Sequence, residues 1–254
     1  MERHAEEADG PRIERVRAVA PLQQSNAGGS GSFLVRADDG CRYWCKVLNN
    51  AQGDPKVPVN EQIVGWLGSL IGIAVCEPRL VEIPEALADW EFRPGHHLQS
   101  GWAHGGLAVE GAIETRTLDH RTSDNNSVRH AGFYALHDWL GGADPQWLYA
   151  SADEQRYYSH DHGHYFWGPS WTPATLSANV GTAAPLGVAS AGLDPSELER
   201  LADRLDSITE QEVAGALPNF PEDWPIDQSE IRAVVDFATQ RCSQVAQRIR
   251  SLPT

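Results

Sequence analysis

YYSHDHGHYF, residues 157–166, crowds three histidines and one aspartate into ten positions, and the chemistry assigned to it decides the fold. Two readings compete. On an extended strand His160, His162 and His164 would share one face and Asp161 the other, because side chains alternate along a strand. A transition-metal site on that face needs further ligands. All ten histidines lie at or before His164, so only upstream residues such as His96, His97, His104 or His137 are available, an order unlike that of hydrolase barrels that add ligands from later strands. In the second reading Asp161 is the actor. A carboxylate at a strand end, followed by His162 and Gly163, is placed to hold Mg²⁺ that bridges nucleotide phosphates.

The second reading asks for phosphate-binding groups upstream. In AGGSGSFLV, residues 27–35, Gly28, Gly29 and Gly31 would let backbone N–H groups and the hydroxyls of Ser30 and Ser32 approach an anion. Glycine-rich hairpins without that role are common. YWCKV follows at 43–47, and Lys46 in the middle of an apolar strand is costly unless its ammonium meets an anion. The alternative is that Lys46 faces outward. A helix over 58–71 is predicted from Val59, Ile63, Trp66, Leu67 and Leu70 at helical spacing. Its Glu61 lies in line with Gly65 and Gly68, where another element has room to approach. The carboxylate either reaches toward the lysine strand or is solvated.

Around these motifs the chain reads as α+β. RVRAVAPL (15–22) and FLVRADDGCRYWCKVL (33–48), the latter folded at ADDG, predict an antiparallel sheet, with further strands at PRLVEI (78–83) and GLAVEG (106–111). The second half is mainly helical, with helices over 127–140, from Asp194-Pro195 to 208, and from Asp227, where Glu230 completes a capping-box pattern. WLYA (147–150) and QRYYSHDHG (155–163) form a hairpin inside it. The run 168–192 has no periodicity and reads as an ordered substrate loop or a mobile one.

Composition narrows the partners. With 254 residues, 41% of them hydrophobic, the chain has ample core, and LIGIAV (70–75) is far short of a bilayer span. A net charge of −15, with 20 basic residues thinly spread, argues against nucleic acid as a partner. Residues 1–14 read as a polar tail rather than a secretion signal, and Cys41, Cys45, Cys76 and Cys242 as reduced packing residues, which together imply a cytoplasmic protein away from membranes.

The order of glycine-rich hairpin, strand lysine, helix glutamate, loop aspartate after a helix and Asp-x-Gly resembles that of the protein-kinase-like fold, and Asp161-His162-Gly163 is similar to the metal segment of the HipA-like kinases. The resemblance spans roughly residues 15–250. It implies a two-lobed fold, with a small antiparallel sheet and one helix in an N-lobe at 15–111 and a mainly helical C-lobe at 112–254. It also implies ATP- and Mg²⁺-dependent phosphoryl transfer to a hydroxyl, on a protein Ser/Thr or a small molecule. On that resemblance Lys46 contacts the phosphates and pairs with Glu61, Asp161 holds Mg²⁺, Asp144 is the base, Asp138 is structural, and adenine lies against the backbone at 107–111. The chain departs from the pattern where kinases carry an asparagine five residues after the loop aspartate. Tyr149 stands there, Pro145 replaces the usual basic residue, and Gln146 is left to offer a carbonyl oxygen to the metal. Two further expectations stand beside this one: a nucleotide-binding pseudokinase or scaffold, and a metal-dependent enzyme built on His160, His162 and His164.

Overall fold

A computed structural model describes residues 15–24, 29, 31–187 and 189–253. The tail expected at 1–14, and Gly28 and Ser30 of the glycine turn, lie outside these. Alternating apolar residues fold the first part into strands β1 (Arg15–Gln24), β2 (Phe33–Ala37) and β3 (Arg42–Lys46), followed by helix α1 (Val57–Leu70) and strand β4 (Pro78–Ile83). Two short strands, β5 (Glu91–Arg93) and β6 (His96–His97), make a small ribbon before β7 (Gly101–Leu107) and β8 (Ala112–Thr115). Helix α2 (Asn126–Trp139) leads into strands β9 (Trp147–Ala150) and β10 (Arg156–Tyr158). The chain ends with helices α3 (Pro173–Ala178), α4 (Pro195–Ser207), α5 (Glu210–Ala216) and α6 (Gln228–Arg250).

Five strands close into a barrel in the order β1-β2-β3-β7-β4, with β1 and β4 parallel and the other pairs antiparallel. Its interior is a core of Val16, Phe33, Val35, Tyr43, Cys45, Val81 and Phe92. A second core is shared by α1 and the later helices. Val59, Ile63, Leu67 and Ile71 pack in one cluster with Ala131, Leu136, Trp139, Leu201 and Val245, so the helix that carries Glu61 is bedded against the second half of the chain. The glycines on α1 have the use expected of them. A Cβ at Gly65 would lie 3.1 Å from Pro78, and one at Gly68 2.8 Å from Val75, so their absence lets β4 and its lead-in pass close to the helix.

The N-terminal caps appear as read. Asp194 accepts from the Glu197 N–H at 2.8 Å, with Pro195 in the first turn, and Asp227 and Glu230 form a reciprocal capping box. Three expectations are corrected. The strand placed at 106–111 lies at Gly101–Leu107, because Gly105 is a packing position, where a Cβ would sit 2.5 Å from Val81. The expected hairpin of β9 and β10 forms, but its second strand is Arg156–Tyr158 rather than 155–163, and β8 adds a third strand by pairing with β9. The run 168–192 holds a short helix, α3, opened by a Thr172–Thr175 capping box.

The helical part is tied together by one buried cation. Arg241 on α6 is fully buried and donates to the carbonyls of Trp139 (2.8 Å), Asn179 (2.8 Å) and Thr182 (2.7 Å), and to Asp138. Asp138 also accepts from Arg248 at 2.6 Å and from the Ala184 N–H at 2.9 Å, a structural part rather than a catalytic one. Replacing Arg241 by leucine leaves these acceptors buried and unpaired. Arg241→Leu is expected to destabilise the fold by about 3–5 kcal/mol, read as the shift in urea unfolding midpoint. A loss below 1 kcal/mol would show that water satisfies those carbonyls as well as the guanidinium does.

Candidate functional site

The site begins with the alternation of β3. Tyr43 and Cys45 turn into the barrel core, which sends Trp44 and Lys46 to the opposite face, toward α1. The lysine is buried there, so its ammonium has to find compensation within the protein. It donates to Glu61 on α1 and to Asp161 Oδ1 in the segment after β10. Glu61 is buried and serves three donors: Lys46, the His162 N–H at Oε2 (2.9 Å) and the Gly163 N–H at Oε1 (3.0 Å). The same carboxylate thus holds both the lysine and the backbone of the aspartate segment. That close approach requires Gly163, since a Cβ there would lie 2.9 Å from Val57 at the start of α1.

A second tether fixes the segment from behind. The Ser159 N–H donates to Ala74 O at 2.8 Å and the Cys76 N–H to Ser159 O at 3.0 Å, so the lead-in to β4 and the lead-in to Asp161 run paired. Asp161 itself sits at φ 54° and offers Oδ2 to the Gln146 amide, which donates at 2.8 Å. Lys46, Glu61, Asp161 and Gln146 therefore meet in one network.

The electrostatics follow from burial against attraction. Burial disfavours the Glu61 and Asp161 carboxylates, but Lys46 outweighs it and holds both below the ordinary range. Burial likewise disfavours the Lys46 ammonium, and Asp161 and Glu61 raise it nonetheless. His104, opposite Lys46 on β7, and His162 are buried and pushed down to about 4 by desolvation, so both are neutral near pH 7.

The three histidines do not share a strand face. The backbone turns at Asp161, and each ring has its own partner: His160 Nε2 is 3.3 Å from Glu114, His162 Nε2 is 2.8 Å from Ser159 Oγ, and His164 Nε2 is 3.2 Å from Gln52. Among the described residues no group of three or more His, Cys, Asp or Glu side chains is arranged to hold a metal ion. The expected three-histidine face is corrected accordingly.

A cleft with about 930 Å³ of unfilled space, partly open to solvent, runs from this network past Ser32 to Leu107, Val109 and Ala112, where the base was expected. Gly29 and Gly31 stand near the ribbon of β5 and β6 instead. Gly29 O accepts from Arg93 at 2.8 Å, and Gly31, at φ 69°, lies beside Phe92 and Arg93. Asp144, at φ 51°, is exposed, has no hydrogen-bond or ion-pair partner among the described residues and stands outside the cleft lining. Tyr149, in the place of the missing asparagine, is a core residue whose hydroxyl donates to Asp119 O at 2.8 Å. Sequence reasoning missed Trp44, Cys76 and Glu114 as lining residues and named His104 only as a metal donor. The signal for Trp44 was present, since it lies two residues from Lys46 on the same strand face.

Two outcomes are expected from this geometry. Lys46→Met and Glu61→Gln are each expected to lower stability, and to do so less than additively when combined, because each removes the other's partner. Urea unfolding of the four members of the cycle reads this, and full additivity would separate the two residues. The second concerns acid. The His104 ring takes its proton near pH 4 when folded and near 6.5 when free, so the unfolded chain binds protons first and stability falls as pH drops from about 6.5 toward 4. His104→Gln is expected to flatten part of that fall in a melting series, and an unchanged slope would assign it to other groups.

Comparison with known proteins bears on the fold and the family. A family model described as HipA-like kinase matches residues 19–166, more than half of the chain. No curated protein matches. Among solved structures, the Helicobacter pylori proinflammatory kinase CtkA is similar with a TM-score of 0.63 at 8% identity, covering 94% of this chain and 98% of that one. The Golgi casein kinase with Mn/ADP bound is similar with a TM-score of 0.44 at 11% identity, covering 92% of this chain and 73% of that one. With its barrel, its helix glutamate and its Asp-His-Gly segment in that order, the chain has a protein-kinase-like fold and belongs to the HipA-like kinase family.

Proposed function

We propose that the cleft binds ATP with Mg²⁺ and transfers a phosphoryl group to a hydroxyl, on a protein Ser/Thr or a small molecule. The observation that carries this reading is the convergence of Lys46, Glu61, Asp161 and Gln146 at the inner end of one cleft. The donor set fits the metal. Mg²⁺ takes oxygen ligands, commonly one or two from the protein with phosphates and water supplying the rest; here Asp161 would supply one, and Gln146, whose amide N–H donates to Asp161 Oδ2 at 2.8 Å, would turn its carbonyl to supply the other. When bound, Mg²⁺ would neutralise charge on the transferring group. Lys46 would bind phosphate oxygens while Glu61 keeps its ammonium oriented. Ser32, with Gly28, Gly29, Ser30 and Gly31, would cover the phosphates. Asp144 would orient the attacking hydroxyl and accept its proton at the carboxylate. The division into lobes at 15–111 and 112–254 belongs to this proposal, with adenine against the crossing at 107–111.

A pseudokinase is the second reading. It is favoured by Tyr149 in the place of the asparagine and by the position of Asp144 outside the cleft lining. Both readings expect ATP with Mg²⁺ to raise the melting temperature, and Lys46→Ala to lose most of that rise against its own baseline. They part at Asp144. If the chain is a transferase, Asp144→Asn binds ATP as wild type does and loses about a hundredfold or more in ADP release or autophosphorylation, followed with labelled ATP. Gln146→Ala loses both metal affinity and rate. Equal trace turnover in wild type and Asp144→Asn, both binding ATP tightly, would select the pseudokinase. No rise in melting temperature at millimolar nucleotide would end both.

A further inference from the structure

Asn60, the residue before Glu61, lies inside α1, where asparagine is a poor choice on local grounds because its amide competes with the backbone for hydrogen bonds. Its reason lies elsewhere in the chain. The side chain is fully buried, and its three partners are 103, 105 and 111 residues away. Nδ2 donates to Gly163 O at 2.9 Å and to Tyr165 O at 3.4 Å, and Oδ1 accepts from Trp171 Nε1 at 2.8 Å. These partners fix which way the amide points, since carbonyls only accept and an indole only donates.

Two consecutive residues of α1 thus hold one segment from its two polar sides. Glu61 accepts from the N–H groups of His162 and Gly163, while Asn60 donates to the carbonyls of Gly163 and Tyr165, in a turn closed by the Tyr165 N–H on His162 O at 3.1 Å. Asp161 comes immediately before this turn, at φ 54°, a left-handed conformation that its surroundings have to maintain. Trp171 is itself held in place. Lys56 donates to its carbonyl at 3.0 Å and lies 4.0 Å over its ring, and Ser170 Oγ donates to Asp54 Oδ2 at 2.8 Å. The chain beyond the Asp-His-Gly segment is therefore docked on the start of α1, and Asn60 is the polar link between that docking and the turn after Asp161.

We propose that Asn60, oriented by Trp171, is a positioning residue for the metal-binding carboxylate of Asp161. This rests on the reading of Asp161 as a Mg²⁺ ligand and adds to it a residue that sets the affinity for the metal without touching it. A turn held by Glu61 alone can pivot about that carboxylate. Held on its carbonyl side as well, it presents Asp161 to the cleft in one orientation.

The test separates metal affinity from stability. Calorimetry of ATP binding across a Mg²⁺ series, and of ATP in chelator without Mg²⁺, is run on wild type, Asn60→Leu, Trp171→Phe, Asp161→Asn and Val245→Ala, a truncation of the buried core on α6. Asn60→Leu is expected to raise the Mg²⁺ concentration that half-restores ATP affinity about tenfold or more, the scale of a lost partner behind a metal ligand. Its binding of metal-free ATP is expected to stay within a few-fold of wild type. Trp171→Phe keeps both Asn60 donors but frees the amide to turn, and is expected to raise the Mg²⁺ requirement by less. Val245→Ala is expected to lower the melting temperature and leave that requirement unchanged. Adding Asn60→Leu to Asp161→Asn is expected to raise it no further, because Asn60 acts through that carboxylate. A wild-type Mg²⁺ requirement in Asn60→Leu, with Asp161→Asn impaired, overturns the role of Asn60 and leaves the metal site standing. So does a shift matched by Val245→Ala, or full additivity in the double variant. If Asn60→Leu does not fold, Trp171→Phe decides: a raised requirement upholds the proposal and an unchanged one overturns it. ATP binding by wild type that is indifferent to Mg²⁺, or a requirement unmoved by Asp161→Asn, overturns the metal reading and this inference together.

Discussion

One ammonium organises the molecule. Lys46 comes from the barrel, Glu61 from the helix behind it and Asp161 from the segment beyond the second sheet, and the lysine joins the three by donating to both carboxylates. A buried ion pair is weak evidence for stability in itself, since desolvation offsets much of the attraction. Its value here is positional. Glu61 also accepts two backbone N–H groups from His162 and Gly163, so orienting the lysine and orienting the aspartate are one event. Because α1 is packed into the core of the later helices, that event is anchored to the larger part of the chain. The carboxylates, lowered by Lys46, keep their charge to below the ordinary carboxylate range, and the lysine keeps its own well into the alkaline range. The network is therefore at full strength across neutral pH.

Much of this was legible in the sequence, and the reason is locality. Lys46 in an apolar strand, Glu61 in line with two glycines, and a cap such as Asp194 before Pro195 are statements about residues a few positions apart, where period and propensity suffice. The failures are non-local. His104 faces Lys46 because β3 and β7 are neighbours, and Gly106 is the partner of Trp44 across the sheet for the same reason. Neither follows from spacing along the chain. The histidine run failed for a different reason. It was laid out as an extended strand, while the backbone turns through a left-handed conformation at Asp161 and sends the three rings to three different neighbours. The strand placed at 106–111 lies earlier in the chain, at Gly101–Leu107, where Gly105 lets β4 pass close.

The loop between α2 and β9 shows how a fold absorbs a departure from its family's pattern. With Tyr149 drawn into the core against Asp119 and His130, β9 starts early and the position usually given to a metal-binding amide becomes a packing position. The amide of Gln146, three residues earlier, donates to Asp161 Oδ2 at 2.8 Å through a side chain one methylene longer than asparagine. The buried Arg241 shows the complementary case, a charge retained for the many carbonyls it gathers rather than for any reaction.

Closure of the barrel bears on how polypeptides can engage this protein. Since β1 pairs with β4 over Arg15–Arg17, the five strands close on one another, and an edge open to an extended chain is confined to the remainder of β1. The sheet of β8, β9 and β10 is open but ends in strands of only four and three residues. Strand addition, whether by a docking peptide or by another unfolded chain, is thereby confined to a few positions. Away from that stretch, recognition of a polypeptide on the barrel comes from side chains, which makes it sensitive to sequence.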